Sequence, residues 1–372
     1  MKLLAVVMSV CVVAGAAGSG QTHRTTVEPR TAPAPVSTAV DKGARWLASV
    51  QGADGGWGQD GGEASSARPG ERLESSGNDV ANTAVAALAL LQAGRQYEPQ
   101  VERALAFILQ RIEASPADGL AITDRQGTQI QRKLGPYIDT FLASMLMSQI
   151  DGRASTPALN ARIRKALQKT VAKIEKHQQS DGSWNIAGGW APVLGTSMAS
   201  RSLFAAKNSG VAVDAAVLER AETYTVSALR AVPRPDARGA AVAGRLVAAA
   251  PAEAAGVPLY QSAQALEQLS RTAADREKNA REISAIQGQL ANAAFVSGFG
   301  SMGGEEFFSY LNISDSMKRV GGDGWSKWHA NITQKILGLQ NSDGTWAGHH
   351  CITGRVAMTS AAILNLTVDR AR

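Results

Sequence analysis

The sequence predicts an all-α fold in which six helical hairpins close into an (α/α)6 toroid. Three observations predict it. An amphipathic helix followed by Gln, an Asp-Gly turn and Trp recurs three times along the chain. Between these copies, helical segments alternate between amphipathic, charged ones and ones rich in small apolar residues. Aromatic residues make up only 5% of the 372 residues, and the abundance of Gly, Ala and Leu suits closely packed helices better than a sheet. A single domain of this size is normally a closed repeat architecture.

The chain opens with Met1-Lys2, an apolar run from Leu3 to Val13 and small residues Ala14 to Ala17. This is the pattern of a signal peptide over residues 1–17, from which a secreted or periplasmic protein is expected. The run is too short for a membrane span of about 20 residues, and no later stretch is long enough, so no integral membrane segment is expected in the mature chain. Residues 18–37 are rich in Thr, Pro, Ala and Gly and read as a flexible lead-in; the toroid domain takes residues 38–372. The formal net charge of +6 is spread along the chain, with only short mixtures such as Arg162, Arg164, Lys165 and Lys169. That spread argues against a nucleic acid partner, whose phosphates need a clustered footprint. Of the two cysteines only Cys351 remains after signal removal, which excludes a disulfide framework.

The three repeats are Lys42 to Leu47 with Gln51 and Asp54-Gly55-Gly56-Trp57; Lys173 to Gln179 with Asp181-Gly182-Ser183-Trp184; and Gln334 to Gln340 with Asp343-Gly344-Thr345-Trp346. Asp-Gly supplies the turn, and the Trp packs back over the helix just left, with the Gln bonded against its ring or backbone. The spacing predicts outer helices over 40–51, 100–113, 160–178, 215–231, 276–290 and 325–340. It predicts inner helices over 79–93, 135–150, 196–207, 259–272, 305–319 and 351–369, with one extra short helix within 233–256. A helix apolar on every face should be buried, and one with a single apolar stripe should cover it. The N-terminal ends of the inner helices should then line one mouth of a central cavity, where their dipoles favour chemistry or an anion.

The repeated segments resemble the QW repeat of squalene-hopene and oxidosqualene cyclases, and with it the terpenoid cyclase and protein prenyltransferase superfamily. The stretch Asp79-Val80-Ala81-Asn82-Thr83-Ala84 resembles the Asp-x-Asp-Asp-Thr-Ala motif of squalene-hopene cyclases. The resemblance implies that the second Asp of that motif protonates an alkene; here Ala81 stands in its place and cannot donate a proton. Asn82 replaces the third acid, and Asp79 alone survives, as a functional carboxylate or as a helix N-cap. Protonation-initiated cyclisation is therefore not expected. Neither an Asp-rich cluster for Mg²⁺ nor a Gly-rich phosphate loop is present.

The segment from Trp346 to Arg355 gathers His349, His350, Cys351 and Arg355. Prenyltransferase β-subunits, by the same resemblance, hold zinc with Asp, Cys and His on inner helices. Here no Asp-x-Cys pair exists, so a zinc site would have to combine Asp79, His350 and Cys351. Neighbours on a helix point about 100° apart, so His349, His350 and Cys351 cannot all face one ion without an irregular turn. The alternatives are a reactive thiol at Cys351 and a helix-capping, cavity-lining role. Asp79, His350 and Cys351 are thus the catalytic candidates. Asn82, Tyr137, Asp139, Trp190, Thr196, Tyr260, Glu305, His349 and Arg355 are the ligand-binding candidates, against a reading of the aromatics as core and of Glu305-Glu306 as favourable charge at a helix start. The expected partner is an apolar or isoprenoid-like small molecule, handled by a transferase-like enzyme, with a non-catalytic binding protein or a carbohydrate-active toroid as alternatives.

Overall fold

A computed structural model describes residues 35–59, 77–186, 192–231, 257–298, 303–349 and 352–370. The expected signal peptide, the Ala-rich 233–256 stretch, Trp190, His350 and Cys351 lie outside these residues. Among the described residues there is no strand, and a lone antiparallel bridge joins Trp57 to Asp79.

The outer layer consists of α1 (Val36–Ser49), α3 (Glu98–Ala114), α6 (Pro157–Lys176), α8 (Ala215–Ala231), α11 (Ala280–Leu290) and α14 (Gly322–Leu337). The inner layer consists of α2 (Val80–Ala93), α5 (Ile138–Ile150), α7 (Pro192–Asn208), α9 (Val257–Leu269), α13 (Gly304–Val320) and α15 (Arg355–Leu366). Short helices α4 (Gln129–Leu134), α10 (Ala273–Lys278) and α12 (Ala293–Val296) fill the connections. The inner helices pack in the order α2, α5, α7, α9, α13, α15 and back onto α2, so their ring is closed. The first outer helix also packs on both α14 and α15, sealing the join between the chain's two ends.

Composition decides the layers. In α2 the run Val80 to Leu90 is buried on every face: apart from Asn82 and Thr83, whose side chains donate hydrogen bonds to Asp79, it is Ala, Val and Leu, apolar all round. The outer helices bury one stripe each, as Ile163, Ala166, Leu167, Thr170, Val171 and Ile174 do in α6. The basic residues of that helix are used locally. Lys169 donates to the carbonyls of Ile112 and Ser115 at 2.7 and 2.5 Å, Lys173 donates to that of Gly119 at 2.7 Å, and Arg162 pairs with Glu113. They tie the end of α3 and the loop after it, where helix carbonyls lack partners of their own.

Most helix ends differ from the sequence reading by a few residues, and three of the differences are as follows. The last inner helix begins at Arg355 rather than at 351, because Ile352 to Gly354 are held as an extended neck: Gln129 exchanges hydrogen bonds with Thr353 at 2.9 Å, and Gly304 N donates to the Ile352 carbonyl at 3.0 Å. The helix expected over 276–290 is split at Asn279, after α10 has started on a Thr272–Asp275 capping box. The first helix starts at Val36, directly after Pro35, four residues ahead of the expected 40 and two ahead of the expected domain start at 38.

The repeats share one geometry. Trp57, Trp184 and Trp346 donate their indole N–H to the carbonyls of Leu47, Ile174 and Ile336 at 2.8, 2.7 and 2.8 Å. Their backbone N–H groups donate to the hydroxyls of Thr83, Thr196 and Thr359 on the following inner helix. The Gln six residues before each Trp donates both to its own turn and to the next outer helix: Gln51 to Gln100 O, Gln178 to Val217 O and Gln340 to Ala39 O, at 2.9, 2.8 and 2.9 Å. In the second copy the bridging residue is therefore Gln178, not Gln179 at the end of the range read from the sequence. The motif thus pins a helix to its inner partner and to the next hairpin at once.

Candidate functional site

The N-terminal ends of α2 and α5 bring Asp79, Asn82 and Asp139 together. Asp79 caps α2, its Oδ1 accepting from Asn82 N and its Oδ2 from Asn82 Nδ2, both at 2.8 Å. Asp139 Oδ1 accepts from Ala81 N at 3.0 Å and Oδ2 from Gln131 Nε2 at 2.6 Å, which joins α2, α4 and α5. Burial pushes both carboxyls above their ordinary range; Asp139, which also faces the charge of Asp79, is raised to about 7. Both oxygens of Asp79 accept hydrogen bonds from Asn82, and its expected partners in a zinc site, His350 and Cys351, lie outside the described residues. Among the described residues no group of three or more His, Cys, Asp or Glu is placed to hold a metal ion.

The other sequence-named residues scatter. Thr196 is buried beneath Trp184 as part of the repeat. Tyr137 precedes α5 and is half-buried, while Tyr260 is buried in the core. Glu305 is buried at the start of α13, its Oε2 accepting from Ile352 N at 3.4 Å in the neck before α15. His349 is exposed. Arg355 lies over the Trp46 ring, 5.4 Å from its centroid, and 3.5 Å from Asp343.

A hollow of about 40 Å³ lies inside the inner ring, and among the described residues none of the sequence-named ones lines it. Its wall is Val85 and Leu88 of α2, Leu142 and Met145 of α5, Met198 of α7, Phe308 and Leu311 of α13 and Leu364 of α15. One turn further along these helices, Gln92, Gln149, Arg201 and Asp315 make its polar rim. The inner helices run the same way, so these late positions gather at the C-terminal end of the ring, opposite the mouth that the sequence reading favoured. The sequence signal is a polar residue seven after an apolar one on the same face: Val85 and Gln92, Leu142 and Gln149, Phe308 and Asp315.

The rim is charged. Arg201 pairs with Asp315, the side chains being 15% and 17% exposed, and donates to Asn312 Oδ1. Behind it Arg271 makes two bonds to Glu267, at 3.0 and 2.7 Å, with side chains 6% and 1% exposed. Arg319 approaches Glu267 at 3.9 Å. Burial lowers Arg201 to about 10. Burial alone would raise Glu267, but the arginines outweigh it and hold its carboxyl below the ordinary value.

Residues 29–120 match the family model of the squalene-hopene cyclase C-terminal domain. Comparison with curated proteins found no match. Among solved structures, a variant of the type II terpene cyclase MstE from Scytonema, in complex with its substrate geranylgeranyl dihydroxybenzoate, is 14% identical over 90% of this chain and 97% of that one. Its TM-score of 0.36 gives that likeness no weight of its own. The closed helical ring, and the match over the first hairpin and the helix after it, about a quarter of the chain, support the resemblance to the terpenoid cyclase-like superfamily.

Proposed function

We propose that the protein is an exported toroid that binds an apolar, isoprenoid-type chain in its central hollow and does not cyclise it by protonation. The observation that carries this reading is the apolar wall, to which five inner helices contribute. Met145 and Met198 in that wall are unbranched and repack readily around a guest, which a hollow of about 40 Å³ requires. Two features speak against a proton-donating cyclase. Ala81 carries no proton, and the nearby Asp139, raised to about 7, is far too weak an acid for an alkene while both its oxygens accept from N–H donors. The commitment of Asp79 and Asn82 to a helix cap favours a non-catalytic binder over a transferase. The apolar run Leu3 to Val13 supports export. Calorimetric titration of the delipidated protein with farnesol and geranylgeraniol tests the reading, together with product analysis after incubation with squalene. One-to-one binding and unchanged squalene are expected; cyclised hydrocarbons, or binding of soluble oligosaccharides in place of the alcohols, would overturn it.

A further inference from the structure

At the rim of the hollow and behind it, three arginines, Arg201, Arg271 and Arg319, face two carboxylates, Asp315 and Glu267, of which Arg201 and Asp315 line the hollow itself. A fourth, Arg276, donates to the Ser270 carbonyl at 3.1 Å beside them. The imbalance sits where charge is poorly solvated, and a cation left uncompensated there is costly. The carboxylate of Glu267 is taken up by the fork of Arg271, and Asp315 by Arg201, so the surplus falls on Arg319, one turn beyond Asp315 on α13. Its Nη2 donates to Ser316 Oγ at 3.1 Å, and its Nε is buried with no hydrogen-bond partner among the described residues. Arg201 itself lines the hollow, which connects this surplus to the apolar wall.

We propose that the hollow takes an amphiphile whose anionic head, a carboxylate or a phosphate monoester, sits at Arg201 with the surplus charge of Arg319 behind it, and whose apolar chain lies against Leu88, Leu142 and Phe308. The inference rests on the reading of the hollow as an apolar-chain site and adds the chemistry of the head group. A guanidinium favours both anions by charge-assisted, two-point hydrogen bonding. The head supplies the missing negative charge. An uncharged alcohol of equal length fills the hollow without that gain.

The test titrates the delipidated protein with farnesol, farnesoic acid and farnesyl monophosphate at low salt. At least one anion should bind about tenfold tighter than the alcohol, and the advantage should shrink as salt screens the rim. The tighter anion tells a carboxylic acid from a phosphate. In Arg319→Gln, and in the charge-neutral double variant Arg201→Gln with Asp315→Asn, the ratio of anion to alcohol affinity should fall several-fold, with folding checked by thermal melts. Equal affinity for all three ligands would overturn the head-group assignment while leaving the apolar site standing. Failure of all three to bind would sink the apolar site with it. An anion preference unchanged in both variants would place the head elsewhere and overturn the assignment.

Discussion

Gln340, three residues past the end of α14, donates to the backbone carbonyl of Ala39 in the first helix at 2.9 Å, joining positions 301 residues apart. The same side chain also donates to Gly344 O at 2.9 Å, so a single amide holds the last repeat's turn and closes the outer layer. Gln51 and Gln178 make the equivalent bonds within the chain.

Gln340→Ala should therefore lower unfolding stability by about 1–3 kcal/mol, since it leaves two carbonyls short of a donor. Urea unfolding followed by circular dichroism measures this. Gln178→Ala should cost a similar amount, and Gln179→Ala, one position along, should cost under about 0.5 kcal/mol.

The turn glycines carry a separate load. Gly182 has φ +91°, and a Cβ there would lie 2.3 Å from Arg220 O on α8, whereas Gly119 has φ +82° with nothing within 4 Å. Gly119→Ala should cost only the backbone strain of about 1 kcal/mol, and Gly182→Ala should cost clearly more, because the carbonyl it meets belongs to a packed helix. Melting temperatures of the two variants compare the effects directly.

The buried acid pair makes stability depend on pH. Burial and Asp79 raise Asp139 to about 7 in the folded state, above the unfolded value of about 3.9, so the native protein holds the extra proton between these limits. Stability should fall as pH rises from about 4 through 7, by roughly 2–4 kcal/mol at most if Asp139 acts alone. In Asp139→Asn this slope should largely disappear, as denaturant midpoints across the range would reveal.

Restoring the missing acid should fail. Ala81 is fully buried, with its N–H on Asp139, so Ala81→Asp adds a third carboxyl beside Asp79 and Asp139. The variant should lose about 3–5 kcal/mol of stability and gain no squalene-cyclising activity. A thermal melt and product analysis check both parts.

The layers and the ring were legible because burial on all faces or on one stripe is written into local composition, as Val80 to Leu90 and Ile163 to Ile174 illustrate. The repeat was legible because Gln, Gly and Trp return at fixed spacing. Which of Gln178 and Gln179 bridges could be settled only by the neighbouring helix, since both are polar residues after a helix end. The charged rim was hidden for a related reason. Arg201 shares its helix with only one other charge, Lys207, while Asp315 sits in a helix that also carries Glu305, Glu306, Lys318 and Arg319; the two are 114 positions apart, and nothing local marks them as a pair. Asp79 was conspicuous by its motif, yet the same Asp at a helix start is also the ordinary N-cap, and that is the position it occupies.

Native mass spectrometry of the delipidated protein with added geranylgeraniol tests the central claim, an apolar guest inside the inner ring, most directly when unaltered protein is compared with Leu142→Trp, which fills the hollow. One bound ligand per chain, lost in the variant while it stays folded, is the predicted result. No bound ligand, or a ligand retained equally by Leu142→Trp, would contradict the claim.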